Sequence, residues 1–201
     1  RVAHRAVLDA LIAPVIGEAA SNLYADARRM LRQMIDGNWV HARAVVGFFP
    51  ANARDDDIEV YVDESRTEVL ARLHHLRQQK AKPEGQSHLA LADFVSPAGS
   101  GVPDWIGAFA VTAGLGLDDK VREFEARHDD YSAILLKALA DRLAEALAER
   151  MHARVRREFW GYAPDEDLSG EELIDEGYRG ILIRMTNDDM AGPGTVGDTV
   201  L

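Results

Sequence analysis

The chain has no cysteine. Disulfides, thiolate metal sites and cysteine nucleophiles are therefore excluded, and the absence fits a reducing compartment such as the cytoplasm. It lacks a long apolar run: no stretch approaches the ~18 residues that cross a bilayer. Basic charge is in deficit, with 23 Lys and Arg against 34 Asp and Glu and a formal net charge of −11. Such a chain repels a phosphate backbone, so neither a nucleic-acid partner nor a membrane partner is expected. No glycine-rich phosphate loop occurs, because Gly114-Leu115-Gly116 lacks the spacing of a dinucleotide fingerprint. No Gly-x-Ser-x-Gly nucleophile elbow is present, and no internal repeat. Residue 1 is Arg rather than Met, and Asp9 interrupts the apolar start. Residue 1 is therefore expected to lie inside a longer parent chain.

What is present describes an ordinary globular protein. Apolar residues make up 47% of 201, enough to bury a core without staples. Residues 1–13 are weakly helical in pattern up to Pro14, and residues 18–35 carry apolar positions at helical spacing. Asp36-Gly37 is the expected stop, with glycine in the left-handed position beyond the helix. Arg43 to Phe49 is β-branched and aromatic, and Pro50 is expected to close it. Asp57 to Asp63 alternates apolar and charged residues, as a half-buried strand does. Residues 67–77 fit strand or helix. Polar residues 80–88 and Pro97–Pro103 read as loops, and Leu89–Val95 as a short buried segment. Trp105–Thr112 is apolar on both faces, which predicts a central strand.

From Leu117 the pattern turns helical. Residues 129–159 are predicted as one long helix capped by Asp129 or Asp130, with its buried ridge at Ile134, Leu135, Leu139, Leu143, Leu147, Met151 and Val155. Ser169 with Glu172 is a capping box opening a short helix. Strands grouped in residues 43–112 between long helices give an α+β fold, an antiparallel sheet flanked by long helices. The end of the chain, residues 182–201, has no periodicity and is expected to be a divergent, unstructured tail after one domain over residues 1–181.

Four constellations could carry chemistry. Asp141 and Glu145 lie four apart and share one helix face. A solvated face is the default reading and a pair of acceptors for a cationic ligand the sharper one; their mutual repulsion works against local stability, which modestly raises the second reading. Glu125 with His128 and Glu149 with His152 repeat the i, i+3 spacing of di-metal carboxylate bundles, and Glu145 could complete such a set. Against this, a four-helix bundle leaves no place for the strands of residues 43–112. His74-His75 are adjacent, so their side chains diverge and one metal cannot easily take both. Arg150, Arg154, Arg156 and Arg157 crowd the end of the long helix, where cations complement its dipole; they could also dock an acidic redox partner.

Eight strings in order resemble one family. They are Val45-Val46-Gly47-Phe48-Phe49-Pro50-Ala51-Asn52, Asp56-Asp57-Ile58-Glu59-Val60-Tyr61, His74-His75-Leu76-Arg77-Gln78-Gln79, Leu91-Ala92-Asp93-Phe94-Val95, Ile106 to Thr112, His128-Asp129-Asp130-Tyr131, Lys137 to Ala146, and Trp160-Gly161-Tyr162-Ala163-Pro164. In order and spacing they resemble the C-terminal activation domain of cobalamin-dependent methionine synthase over about residues 20–181. The resemblance implies a module of a methyltransferase that acts in methionine biosynthesis and is not catalytic alone. It implies S-adenosylmethionine as ligand, cobalamin held by a neighbouring module of the same enzyme, and a flavodoxin-type reductase as electron donor. Carried over by position, Asp141 and Glu145 match acidic residues of the cleft between ligand and cobalamin, and Glu176 matches a carboxylate near the ligand. No residue is assigned as catalytic and none as a metal ligand. The family places an arginine that grips the ligand carboxylate directly after Ile181, followed by a Pro-Ala-Pro-Gly-Tyr-Pro segment; this chain has Leu182 there and no such segment. The expectation is weak ligand binding by these 201 residues.

Overall fold

The computed structural model describes residues 17–175, 177–180, 185–186 and 198–200. The helical pattern over residues 1–13 lies outside the described residues. The chain forms two compact units: Val46–Phe109, and the described residues before and after that span. Strands β1 (His41–Arg54) and β4 (Asp104–Leu115) run through the boundary between them.

In the unit built from the two chain ends, helix α1 (Gly17–Asp36) buries Met30 and Met34. Its end corrects the expectation for Gly37. The left-handed residue is Asn38, at φ 48°. Its N–H donates to the Ile35 carbonyl at 3.3 Å, and the Trp39 N–H donates to the Met34 carbonyl at 3.1 Å, the paired bonds of a Schellman end. Gly37 is needed for another reason: a Cβ there would lie 2.3 Å from Nε1 of Trp39. Trp39 thus folds back over the helix end and packs edge-on against Phe124, with ring centroids 6.0 Å apart. Met30 and Met34 share a core with Leu117 and Val121 of helix α2 (Leu117–Glu125) and with Leu136 and Ala140 of helix α3 (Asp130–Arg154).

Helix α3 begins as predicted, with the Asp129 carboxylate accepting from the Ser132 N–H at 3.0 Å. Its buried ridge matches the prediction in part. Leu135, Met151 and Val155 are buried as predicted, but the core face also takes Leu136, Ala140, Ala144 and Ala148, whereas Leu139, Leu143 and Leu147 are half-buried and Ile134 is 67% exposed. The α-helix stops at Arg154, and residues 155–159 form a single π turn, a widening common in helices near functional segments. Helix α4 (Gly170–Ile174) opens with the predicted capping box: Glu172 N–H to Ser169 Oγ at 3.3 Å, and Ser169 N–H to the Glu172 carboxylate at 2.8 Å. Strands β5 (Met185–Thr186) and β6 (Asp198–Val200) fall within the stretch expected to be unstructured. There β6 pairs antiparallel with β4, Ala110 opposite Val200, and β5 pairs with β6.

In the Val46–Phe109 unit, β1 and β2 (Asp57–Tyr61) form a hairpin with Arg54 opposite Asp57. Asp55 takes the positive φ of 57° that a two-residue hairpin turn demands. β1 runs past Pro50 instead of closing there. The ladder to β2 covers only Ala51–Arg54, so the missing proline N–H costs no bond on that side. β3 (Val69–Leu73) settles the ambiguous segment as a strand, antiparallel to β2 and exposed throughout. The strand order there is β3-β2-β1-β4. β4 ends that order, and instead of being apolar and buried on both faces it buries only alternate residues (Phe109, Val111, Ala113). The segment Leu89–Val95 holds one 3₁₀ turn (Leu91–Phe94) that buries Ala92 and exposes Phe94. The expected α+β class is the one observed.

Candidate functional site

Asp141 and Glu145 do share a face of α3, and one guanidinium holds both. Arg142 donates to the Asp141 carboxylate at 2.7 Å and to the Glu145 carboxylate at 2.8 Å. All three are substantially solvated, with side-chain exposures of 45%, 35% and 67% for Asp141, Glu145 and Arg142. The guanidinium pKa is raised above its usual range, chiefly by the Asp141 hydrogen bond. The repulsion expected between the carboxylates is thus relieved by a cation lodged between them. In chemical terms the pair accepts one positive group, and its resident is loosely held: exposed ion pairs contribute about 0–1 kcal/mol.

Glu176 lies outside the described residues. The residues flanking it are tied down. Gly177 N–H donates to the Glu172 carbonyl at 2.8 Å. The Tyr178 ring meets His152 edge-on at 4.8 Å. Gly180 sits at φ 113°, where a Cβ would come within 2.7 Å of the Tyr162 hydroxyl.

The arginine cluster does not form one surface. Arg156 is 1% exposed and grips Glu166 through Nε at 2.9 and 3.0 Å and Nη2 at 2.6 Å. It cannot belong to a docking patch, because the π turn directs it inward where Glu166 compensates its charge. Arg154 pairs with Glu158 at 2.8 Å and lies 4.4 Å over the Phe159 ring. Arg150 and Arg157 are exposed.

The di-metal arrangement is not supported. Among the described residues no three His, Asp or Glu side chains converge as a metal set. Glu125 pairs with Lys137 at 3.4 Å and His128 is exposed in the turn before α3, at φ 58°. His152 faces the packed side of α3, whereas Glu149 is exposed. His74 instead bonds Asp57 through Nδ1 at 2.8 Å.

Sequence reasoning missed two charged clusters of the Val46–Phe109 unit. Glu59 is buried, not solvent-facing, and accepts from Arg54 at 2.9 Å and Arg72 at 2.5 Å; the Arg54 bond holds its carboxyl below the usual range. Arg77 forks between Asp56 at 2.6 Å and Asp93 at 2.7 Å, which lowers the Asp93 pKa to about 2, with the Ala90 N–H assisting.

These features define a class: an α+β module whose long helix carries a solvated carboxylate pair bridged by a neighbouring arginine. The profile of one family, vitamin B12 dependent methionine synthase, activation domain, matches residues 4–185, and the chain belongs to that family. A crystal structure of the MetH reactivation domain bound to AdoHcy is 55% identical in sequence and superposes with a TM-score of 0.77. The match covers 85% of this chain and 52% of that one, so the chain spans about half the length of that relative. No helix among the described residues is long and apolar enough to cross a membrane.

Proposed function

We propose that this chain is part of the reactivation module of a cytoplasmic cobalamin-dependent methionine synthase and contributes to binding S-adenosylmethionine. When bound, that ligand supplies the methyl group with which an oxidised cobalamin, held by the neighbouring module and reduced by a flavodoxin-type donor, is returned to its active form. The observation that carries the reading is the Asp141–Glu145 pair in a member of this family, closed around a single cation. A sulfonium or ammonium group fits the same donors, because two carboxylates within reach stabilise one positive centre. Arg142 must swing aside, and its exposed ion pairs are weak enough to let it. By its position in the family pattern, Glu176 is proposed as a third carboxylate for the ligand. Of the four clustered arginines, the exposed Arg150 and Arg157 are the ones left to meet an acidic redox partner.

Leu182 replaces the family arginine for the ligand carboxylate. Such a charge-assisted bond is worth roughly 1.5–3 kcal/mol, so its loss weakens binding about tenfold or more. The test is titration of methyl-labelled S-adenosylmethionine with the 201-residue chain, observed by NMR. We expect saturable binding weaker than micromolar, reduced about a further tenfold by Asp141→Asn with Glu145→Gln. A methyl resonance that never shifts rejects the function. Binding untouched by the double substitution rejects the site, and micromolar binding rejects the importance given to position 182.

A further inference from the structure

In the Val46–Phe109 unit, the strand pleat puts Asp57, Glu59 and Tyr61 of β2 on one face of the sheet. Arg72 of β3 stands directly opposite Glu59, and Arg54 of β1 reaches the same carboxylate from the other side. The Glu59 side chain is 3% exposed. It accepts from Arg54 Nε at 2.9 Å, from Arg72 Nη2 at 2.5 Å and from the Tyr61 hydroxyl at 3.3 Å.

Covering one buried carboxylate needs only one arginine. Arg156 does so for Glu166 with three bonds, and is itself 1% exposed. Here two cations face one anion, each spends a single nitrogen on it, and their side chains stay 58% and 47% exposed. Nη1 and Nη2 of Arg54, and Nε and Nη1 of Arg72, make no hydrogen bond among the described residues. The other charged groups of this face are engaged. Arg66, which lies over the Tyr61 ring, is bonded to the Ala51 and Asp104 carbonyls and to Asn52. Asp57 is held by His74 Nδ1 at 2.8 Å.

We infer that Arg54 and Arg72, aligned by the buried Glu59, form a binding site for an oxyanion, the phosphate or carboxylate group of a small ligand. The two arginines supply the donors, and Glu59 is a positioning residue. A guanidinium fork matches two oxygens of such a group. Donors already held by a buried partner lose little freedom when the anion arrives. This site takes the charge opposite to the one the Asp141–Glu145 pair takes, and it does not rest on the proposed function.

The test is titration of the 201-residue chain with inorganic phosphate and, in a second arm, with acetate, at fixed ionic strength, with arginine side-chain N–H signals followed by NMR. The Arg54 and Arg72 signals should shift together and saturate, while Arg66 stays still. The arm that saturates at the lower concentration names the group. Arg72→Lys keeps the charge over Glu59 and loses the fork, so affinity for that anion should fall about fivefold or more. Glu59→Gln makes the face more positive but releases both guanidiniums, so affinity should fall here too. Signals that drift without saturating, or that move equally at Arg66, overturn the site. Undiminished binding by Arg72→Lys, or tighter binding by Glu59→Gln, shows that charge alone attracts the anion and overturns it as well. Should Glu59→Gln fail to fold, Arg72→Lys decides.

Discussion

Arg156→Met should be among the most destabilising single changes in the chain. The side chain is 1% exposed and its partner Glu166 is 10% exposed, so removing the arginine leaves a carboxylate in a dry site. Breaking a buried pair from one side costs about 3–5 kcal/mol. A second route to the same number comes from titration. The stranded carboxyl need not stay charged, and protonating it at pH 7 from an ordinary value of 4.5 spans about 2.5 pH units, or about 3.4 kcal/mol. That sets the ceiling for the electrostatic part. Lost stacking on Tyr178 adds a little, giving about 3–4 kcal/mol in total.

The pH dependence follows with a definite sign. In the wild type Arg156 holds the Glu166 carboxyl below its usual range. Its contribution is therefore present above the unfolded value and lost as pH falls through the lowered folded value. In Arg156→Met the folded value is raised instead, so the variant loses stability as pH climbs from about 4.5 toward 7. The gap between the two proteins should be widest at pH 7 and less than half as large at pH 4. Urea unfolding followed by circular dichroism at both pH values measures it, assigned to the unit that contains α3. Arg156→Met combined with Glu166→Leu should recover more than half of the loss. A gap under about 1 kcal/mol at pH 7, or one that does not change with pH, would refute the reasoning.

Gly37→Ala should destabilise the end of α1 by about 1–3 kcal/mol, because the new methyl meets the Trp39 indole and forces it off Phe124; tryptophan fluorescence and thermal melting report it, and an unaltered melt counts against the close approach. Asp93→Asn should flatten the acid sensitivity of the Val46–Phe109 unit. With a carboxyl lowered to about 2, the wild type keeps this contribution above pH 3.8 and loses it on descending toward pH 2, so melting temperatures of the two proteins should converge over that interval.

The helix caps were legible because capping is local. Asp129 with Ser132, and Ser169 with Glu172, satisfy backbone groups within three residues, so the string contains both partners. What stayed hidden depended on partners far along the chain. Hydrophobicity favours the leucines of α3 as its buried ridge, yet Leu139, Leu143 and Leu147 are only half-buried and the alanines at 140, 144 and 148 take the core face. Glu59 looked solvent-facing by alternation with its neighbours; Arg72, thirteen residues on, lets it be buried. Arg156 looked like part of a basic surface, and only the turn to Glu166 brings it inside. Gly37 looked like the helix stop, while Asn38 takes the left-handed position and Gly37 makes room for an indole.

The candidate site divides along the same line. The Asp141–Glu145 face was readable because helical spacing alone puts two carboxylates together. Arg142, their immediate neighbour, was in plain view, yet the two bonds it makes depend on side-chain torsions that spacing does not specify. The support beneath Tyr178 was unreadable, because it joins α3, the turn after it and a segment past α4. The strings that carried the family resemblance behave likewise: Arg77 from one binds Asp93 from another, sixteen residues away. A residue type in a string reports what a side chain can do, and its distant partner decides whether that ability faces a ligand or the core. In this chain the same residue type serves both ends, as Arg142 in water over a carboxylate pair and as Arg156 buried beneath the segment that follows Glu176.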